Sequence, residues 1–256
     1  MKQFFYLLAA DLRRAILSIR FLLSACGVAL VLFIASWGQI KFARDVLYPL
    51  GLGISGTASM LIIAGILPLF PFATTFATEW QERAVRFWIV RTGIRNYSMS
   101  KVLVSAISGF LTTAVGMLVF VLALRTRLPL FVESTTGDPY EPLLLAGKPV
   151  QYLCYYITHY SLSAVLFAVA AVWVSTFIPN KFTAVAAPLV LYFVAHRATT
   201  GRSIPQYLRV VVLVEGMYPT GSPHTSLLLK LGIVLILCLL MGYGTVRQIR
   251  RRIQND

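Results

Sequence analysis

The chain has 256 residues, of which 58% are hydrophobic and 12% charged, and its mean hydropathy is +0.77. Soluble domains carry about a quarter of their residues as charges, so this composition excludes an ordinary water-soluble globule and indicates an all-α integral membrane protein. The 23 Lys and Arg outnumber the 9 Asp and Glu, for a net charge of +14. A phosphate-backbone site would gather such charge into a continuous stripe. Here it punctuates apolar runs, which removes nucleic acid as an expected partner and makes the anionic headgroups of membrane lipids the expected partner of Arg247 to Arg252.

In chain order, residues 1–20, "MKQFFYLLAADLRRAILSIR", read as an interfacial helix. Phe5, Leu8, Leu12, Ile16 and Ile19 recur at three- and four-residue steps, and Asp11, Arg14 and Ser18 share the other side. A bilayer core needs about 20 mostly apolar residues. Stretches of that kind occupy residues 21–40, 48–77, 102–124, 152–177, 182–196 and 226–246, the fifth being short. Six spans within a single membrane domain, 1–256, are therefore expected. The first apolar run fills a whole bilayer width with no A-x-A site, so a cleaved signal peptide is not expected.

The second span opens on "GLGISG", Gly51 to Gly56, which formally satisfies GxGxxG. A dinucleotide site would need a preceding strand and an acid about 20 positions on. Neither exists, and Gly51, Ser55 and Ser59 instead form a small-residue face suited to close helix contact in lipid. Pro68 and Pro71 each remove a backbone donor and place a kink near the end of this span.

Residues 78–91, "TEWQERAVRFWIVR", are both charged and aromatic. Taken as one helix, Glu79, Glu82, Arg83 and Arg86 fall within an arc of roughly 100°, with Trp80, Phe87 and Trp88 on the flank. Glu79 to Arg83 and Glu82 to Arg86 have the favourable acid-first i,i+4 order, worth a few tenths of a kcal/mol each. Such a ridge can be solvated or can be read by a partner.

Beyond the third span, the 125–150 loop carries "ESTTGDPYEP". Tyr152, Tyr155, Tyr156, His159 and Tyr160 then share one helix face, as an aromatic belt at the interface or as the lining of a pathway for an amphipathic cargo. Residues 197–225 hold too few apolar residues to cross and fit a re-entrant hairpin. Glu215 would then lie near membrane depth, with Arg209 as a candidate partner. Cys26, Cys154 and Cys238 lack CxxC or metal spacing and read as packing residues.

Basic residues are retained on the cytoplasmic side. With the N-terminus inside, the start, residues 78–101, the 178–181 link and the tail hold 14 of the 23, against 9 outside. "RQIRRR" after the last span fixes the C-terminus inside as well.

With the interfacial helix "ADLRRAILSIRFLL" before the first span and "FATEWQERAVRFWIVRTGIRNYSMSKVL" after the second, the six-span chain resembles an ABC-2-type permease, the membrane subunit of an ATP-driven exporter. The resemblance implies that residues 78–91 form a coupling helix seated in a cleft of a nucleotide-binding subunit, with Glu79, Trp80, Glu82, Arg83, Arg86, Phe87 and Trp88 as its contact residues. Gly93, Arg95, Tyr97, Ser100 and Lys101 match the pattern that re-enters the membrane. It also implies a second permease copy or paralogue, no cofactor in this chain, and ATP and Mg on the partner ATPase. No P-loop is present: the only Gly-Lys, Gly147-Lys148, precedes Pro149 and has Pro142 where the first glycine belongs. Two other classes fit less well. An intramembrane metalloprotease-like enzyme would need HExxH or clustered histidines, and a secondary carrier or channel would show more intramembrane acids than Glu215.

Overall fold

A computed structural model describes residues 2–132, 136–200 and 204–255 and, within them, all side chains but those at 2, 57, 206 and 255. Part of the "ESTTGDPYEP" stretch and part of the 197–225 region, residues 133–135 and 201–203, lie outside the described residues. The fold is all-helical, with no strand among the described residues. It runs α1 Lys2–Ile16, α2 Ile19–Ile40, α3 Leu47–Ser55, α4 Thr57–Met60, α5 Thr75–Gln81, α6 Val85–Thr92 and α7 Ile94–Arg125. There follow α8 Glu141–Leu145, α9 Pro149–Ser175, α10 Lys181–Thr199, α11 Val210–Val214 and α12 Pro223–Asn255.

Among the described residues five helices, α2, α7, α9, α10 and α12, are long and apolar enough to cross a membrane. This is a membrane protein. The expected span over 48–77 is not one continuous helix: Leu47–Ser55 and Ala58–Leu69 meet at 91°. Gly56, with an extended ψ of 126°, makes the break, well before Pro68 and Pro71. Past the bend, Leu61–Ile66 is wound as a π-helix and Leu67–Leu69 as a 3₁₀ turn.

The π segment explains a cross-helix bond. Leu67 N–H reaches five residues back to Ile62 O, so the next bond in that register would run from residue 68 to Ile63 O. Proline there has no N–H to give. The hydroxyl of Thr113 on α7 donates to Ile63 O instead, at 3.2 Å, as Ser and Thr do for freed carbonyls in membrane helices.

The buried helix α9 lies at the centre, packed by α7, α10 and α12, and α7 in turn packs on α1 and α2. Absent side chains set the closest approaches. A Cβ at Gly116 of α7 would lie 2.6 Å from Ala25 O of α2, and one at Gly109 would lie 2.9 Å from the Ala168 Cβ of α9. The small-residue row expected at Gly51, Ser55 and Ser59 is cut by the bend. In α3 the tight contact is Gly53 against Leu32.

Contacts between loops define two ends. One gathers α1, α5, α6, the start of α7, residues 176–180 and the end of α12; Gln81 Nε2 donates to Pro179 O at 3.2 Å, and Arg252 donates to Phe177 O. It holds Arg83, Arg86, Arg91, Arg95, Arg247, Arg250 and Arg251, and is the Arg-rich end. The opposite end is tied through Asp45, whose carboxylate accepts from Tyr48 N at 2.9 Å and Val132 N at 3.1 Å.

Thr113→Val keeps the shape and leaves Ile63 O without its donor. Stability is expected to fall by about 1–3 kcal/mol, read as a lower thermal midpoint of the detergent-solubilised chain. Thr113→Ser should retain the bond.

Candidate functional site

At the Arg-rich end the charged, aromatic stretch is two helices. α5 ends in a Schellman motif: Ala84 N bonds Glu79 O at 2.8 Å, Arg83 N bonds Trp80 O at 3.0 Å, and Arg83 takes the left-handed position with φ 57°. A glycine usually occupies that position, so the sequence carries no stop signal there. α6 follows and ends at Gly93, where φ 80° and ψ 151° suit glycine alone. Gly93 O then accepts from Tyr97 N at 3.1 Å and starts α7.

The break separates residues that one helical wheel had grouped. Glu82, Arg83 and Arg86 are exposed, as are Phe87 and Trp88. Glu79 is not on this ridge and forms no pair with Arg83: it is buried, 2% exposed. Trp80 points inward, 5.9 Å from the Phe76 ring and beneath the Arg252 guanidinium at 5.1 Å. Phe76, Val85, Tyr97 and Ile249 of α12 form the core under the turn. Beside it a groove of about 540 Å³ is lined by Trp80, Gln81, Arg83, Val85, Arg86 and Ile253.

Glu79 belongs to a buried ionic cluster. Lys101 Nζ of α7 lies 2.9 Å from Glu79 Oε1 and 3.2 Å from Asp11 Oδ1 of α1. Each remaining carboxylate oxygen also has a donor: Tyr97 Oη gives to Glu79 Oε2 at 2.6 Å, and Ser100 Oγ gives to Asp11 Oδ2 at 2.8 Å. Arg14, more than half exposed, reaches Glu79 Oε1 at 3.2 Å from the rim. The rings of Phe72 and Tyr97 flank the ammonium at 5.0 and 5.2 Å. Two negative and two positive charges cancel, and helices α1, α5 and α7 are joined.

Asp11 departs from expectation. The amphipathic reading put it on the polar side of the interfacial helix, yet α1 turns Asp11 inward beside Leu7, Leu8, Leu12 and Ala15. The signal that could have found it is Lys101 itself, a cation at the start of an apolar run that requires a nearby acid. Arg95, by contrast, is exposed and outside the cluster.

At the opposite end the aromatic face of α9 is occupied by the chain's own loops. Tyr152 donates to Asp138 at 2.5 Å, Tyr155 meets His224 Nδ1 at 2.5 Å, and the Tyr152 and Tyr156 rings stack at 5.7 Å. His159 Nε2 faces Glu215 O at 3.3 Å, and a carbonyl only accepts, so Nε2 carries the proton and Nδ1 accepts from Tyr140 Oη at 3.0 Å. Burial, with the Asp138 charge adding to it, raises the Tyr140 pKa and keeps that hydroxyl a donor. Glu215 is bonded through its carboxylate to Tyr192, not to the expected Arg209, whose Nε points to Ile204 O at 3.4 Å. Lys230, fully buried, donates to Leu213 O at 3.2 Å and Val214 O at 2.6 Å, and Ser163 also donates to Val214 O. The open carbonyls of α11 are thus capped by α9 and α12. Sequence reading missed Lys230, although an isolated lysine early in an apolar run marks it.

Among the described residues no three His, Cys, Asp or Glu side chains come together to hold a metal ion. Comparison with known proteins returns no matching family model, no matching curated protein and no matching solved structure.

Two outcomes are expected at the Arg-rich end. Lys101→Met strands two buried carboxylates and should cost about 3–5 kcal/mol. Adding Asp11→Asn and Glu79→Gln should recover much of that loss, measured by thermal unfolding in detergent. Arg83→Gly removes a left-handed Cβ and should raise stability by about 1 kcal/mol in the same measurement.

Proposed function

We propose that this chain is the permease subunit of an ABC exporter of the ABC-2 type, with residues 78–91 as the element that couples it to a separate ATPase. The observation that carries the reading is the junction of two surfaces. An exposed ridge of Glu82, Arg83, Phe87 and Trp88 stands directly on the buried cluster of Asp11, Glu79 and Lys101. A partner that seats on the ridge, with the adjoining groove as part of its footprint, pushes on α1, α5 and α7 together. Displacement passes through a rigid joint and is not lost in a loose loop. The partner supplies ATP and Mg, and this chain does no covalent chemistry.

Under this reading the bent 47–69 segment is the second of six spans, and both termini lie in the cytoplasm of a cell membrane. A second permease copy or paralogue completes the pathway. The cargo is amphipathic (a peptide, drug or lipid), and the Tyr152, Tyr155, Tyr156, His159 and Glu215 network holds the outer end shut until the helices move.

Affinity purification of the tagged chain from its native membranes should bring down an ATPase of the P-loop class. Glu82→Lys reverses an exposed charge without touching the buried cluster. In the reconstituted complex it should lower cargo-stimulated ATP turnover by about tenfold or more while membrane insertion is unchanged. Purification without an ATPase, or unaltered stimulated turnover in Glu82→Lys, would count against the proposal.

A further inference from the structure

Between α7, α9 and α12 lies a second groove, of about 680 Å³. It runs along α12 from Leu231 to Val246, over α9 between Leu162 and Val169, and along α7 from Arg95 to Ala106. At 1.5 Å per residue the α12 wall is about 22 Å long, more than the ~15 Å half-thickness of a bilayer core. The walls are apolar except at one end. Arg95 and Tyr243 both line it towards that end, and Arg247, Arg250 and Arg251 follow further along α12. Among the described residues no hydrogen bond or ion pair engages the Arg95 guanidinium.

We infer that this groove holds an acyl chain of an anionic phospholipid, its phosphate on Arg95. The inference depends on membrane insertion alone and stands or falls apart from the exporter reading. Length and apolar walls fit an extended hydrocarbon chain. Tyr243, 70% exposed, is placed as a phenol at headgroup level. The unpaired cation selects the charge of the lipid. A protein surface packed into the groove would have to bring an acid to Arg95 to avoid the cost that isolated buried charges carry, whereas an anionic phosphate neutralises it directly. A zwitterionic headgroup offers the same phosphate with an ammonium beside it and is bound less well.

The test is native mass spectrometry of the full chain extracted from vesicles of equal parts dioleoylphosphatidylglycerol and dioleoylphosphatidylcholine. Phosphatidylglycerol should be retained preferentially. Its retention should fall about fivefold in Arg95→Gln and hold in Arg95→Lys. Gly242 lines the groove, and a Cβ there meets only Val102 Cγ1, at 3.5 Å, so Gly242→Phe should fill the space and release both lipids. Arg95 is exposed, so its variants keep the fold, and helicity by circular dichroism confirms it for all three. Equal retention of the two lipids, or unchanged selectivity in Arg95→Gln, overturns the inference. So does a Cys238–Cys238 crosslink between copies in the same vesicles, which would assign the groove to a protein partner.

Discussion

The ammonium of Lys101, enclosed between the carboxylates of Asp11 and Glu79, constrains the architecture more than any other contact. Moving a lone charge of this kind out of water costs several kcal/mol even after relaxation. Lys101, Asp11 and Glu79 come from three separate helices, so none can leave without stranding the others. Tyr97 and Ser100, four residues and one residue before Lys101 on α7, fill the carboxylate oxygens that Lys101 cannot reach. The short helix α5 has few apolar residues of its own. It is fixed because Glu79 is committed, and with it the turn at Arg83 and the ridge beyond.

The same accounting of polar groups governs the rest of the helical body. Where water is excluded, a carbonyl freed from its helix needs a donor from elsewhere. Thr113 supplies one where Pro68 breaks the π register, and Lys230, Ser163 and His159 supply several at the end of α11. These bonds tie down the π-wound stretch Leu61–Ile66 and the five-residue helix α11. The π segment and the end of α11 each sit opposite polar side chains of α7, α9 or α12, the regular helices that can present them.

How much of this was legible depended on whether the signal was local. Apolar length placed α2, α7, α9, α10 and α12 within a few residues of their observed cores, because a run of about 20 apolar residues is a strong signal in itself. Periodicity likewise found α1 as a helix, although it ends at Ile16 and Ile19 belongs to α2. The bend at Gly56 was not legible, since a glycine in an apolar run is as common in straight membrane helices. Nor was the break at Arg83, because the left-handed position lacks its usual glycine. A helical wheel assigned Glu79 an angle but could not say whether that direction met water or α7. Asp11 was misassigned for the same reason: a carboxylate faces inward only when a cation waits there, and that is a fact about a residue 90 positions away.

The break at Arg83 changes how force would travel under the exporter reading. A single helix over 78–91 would transmit a push along its own axis. Two helices divide the work. α5 is anchored by Glu79 and Trp80, while α6 presents Phe87, Trp88 and Val90 outward. α6 is bounded by Arg83 and Gly93, both at positive φ, and the corner at Arg83 is closed by the backbone bonds of Ala84 to Glu79 O and Arg83 to Trp80 O. Under the exporter reading a load on α6 enters the body at two corners, one leading through α5 to the Lys101 cluster and the other directly into the first turn of α7. Both routes converge on Tyr97 and Lys101. The first turns of α7 are where an applied displacement would become a helix movement.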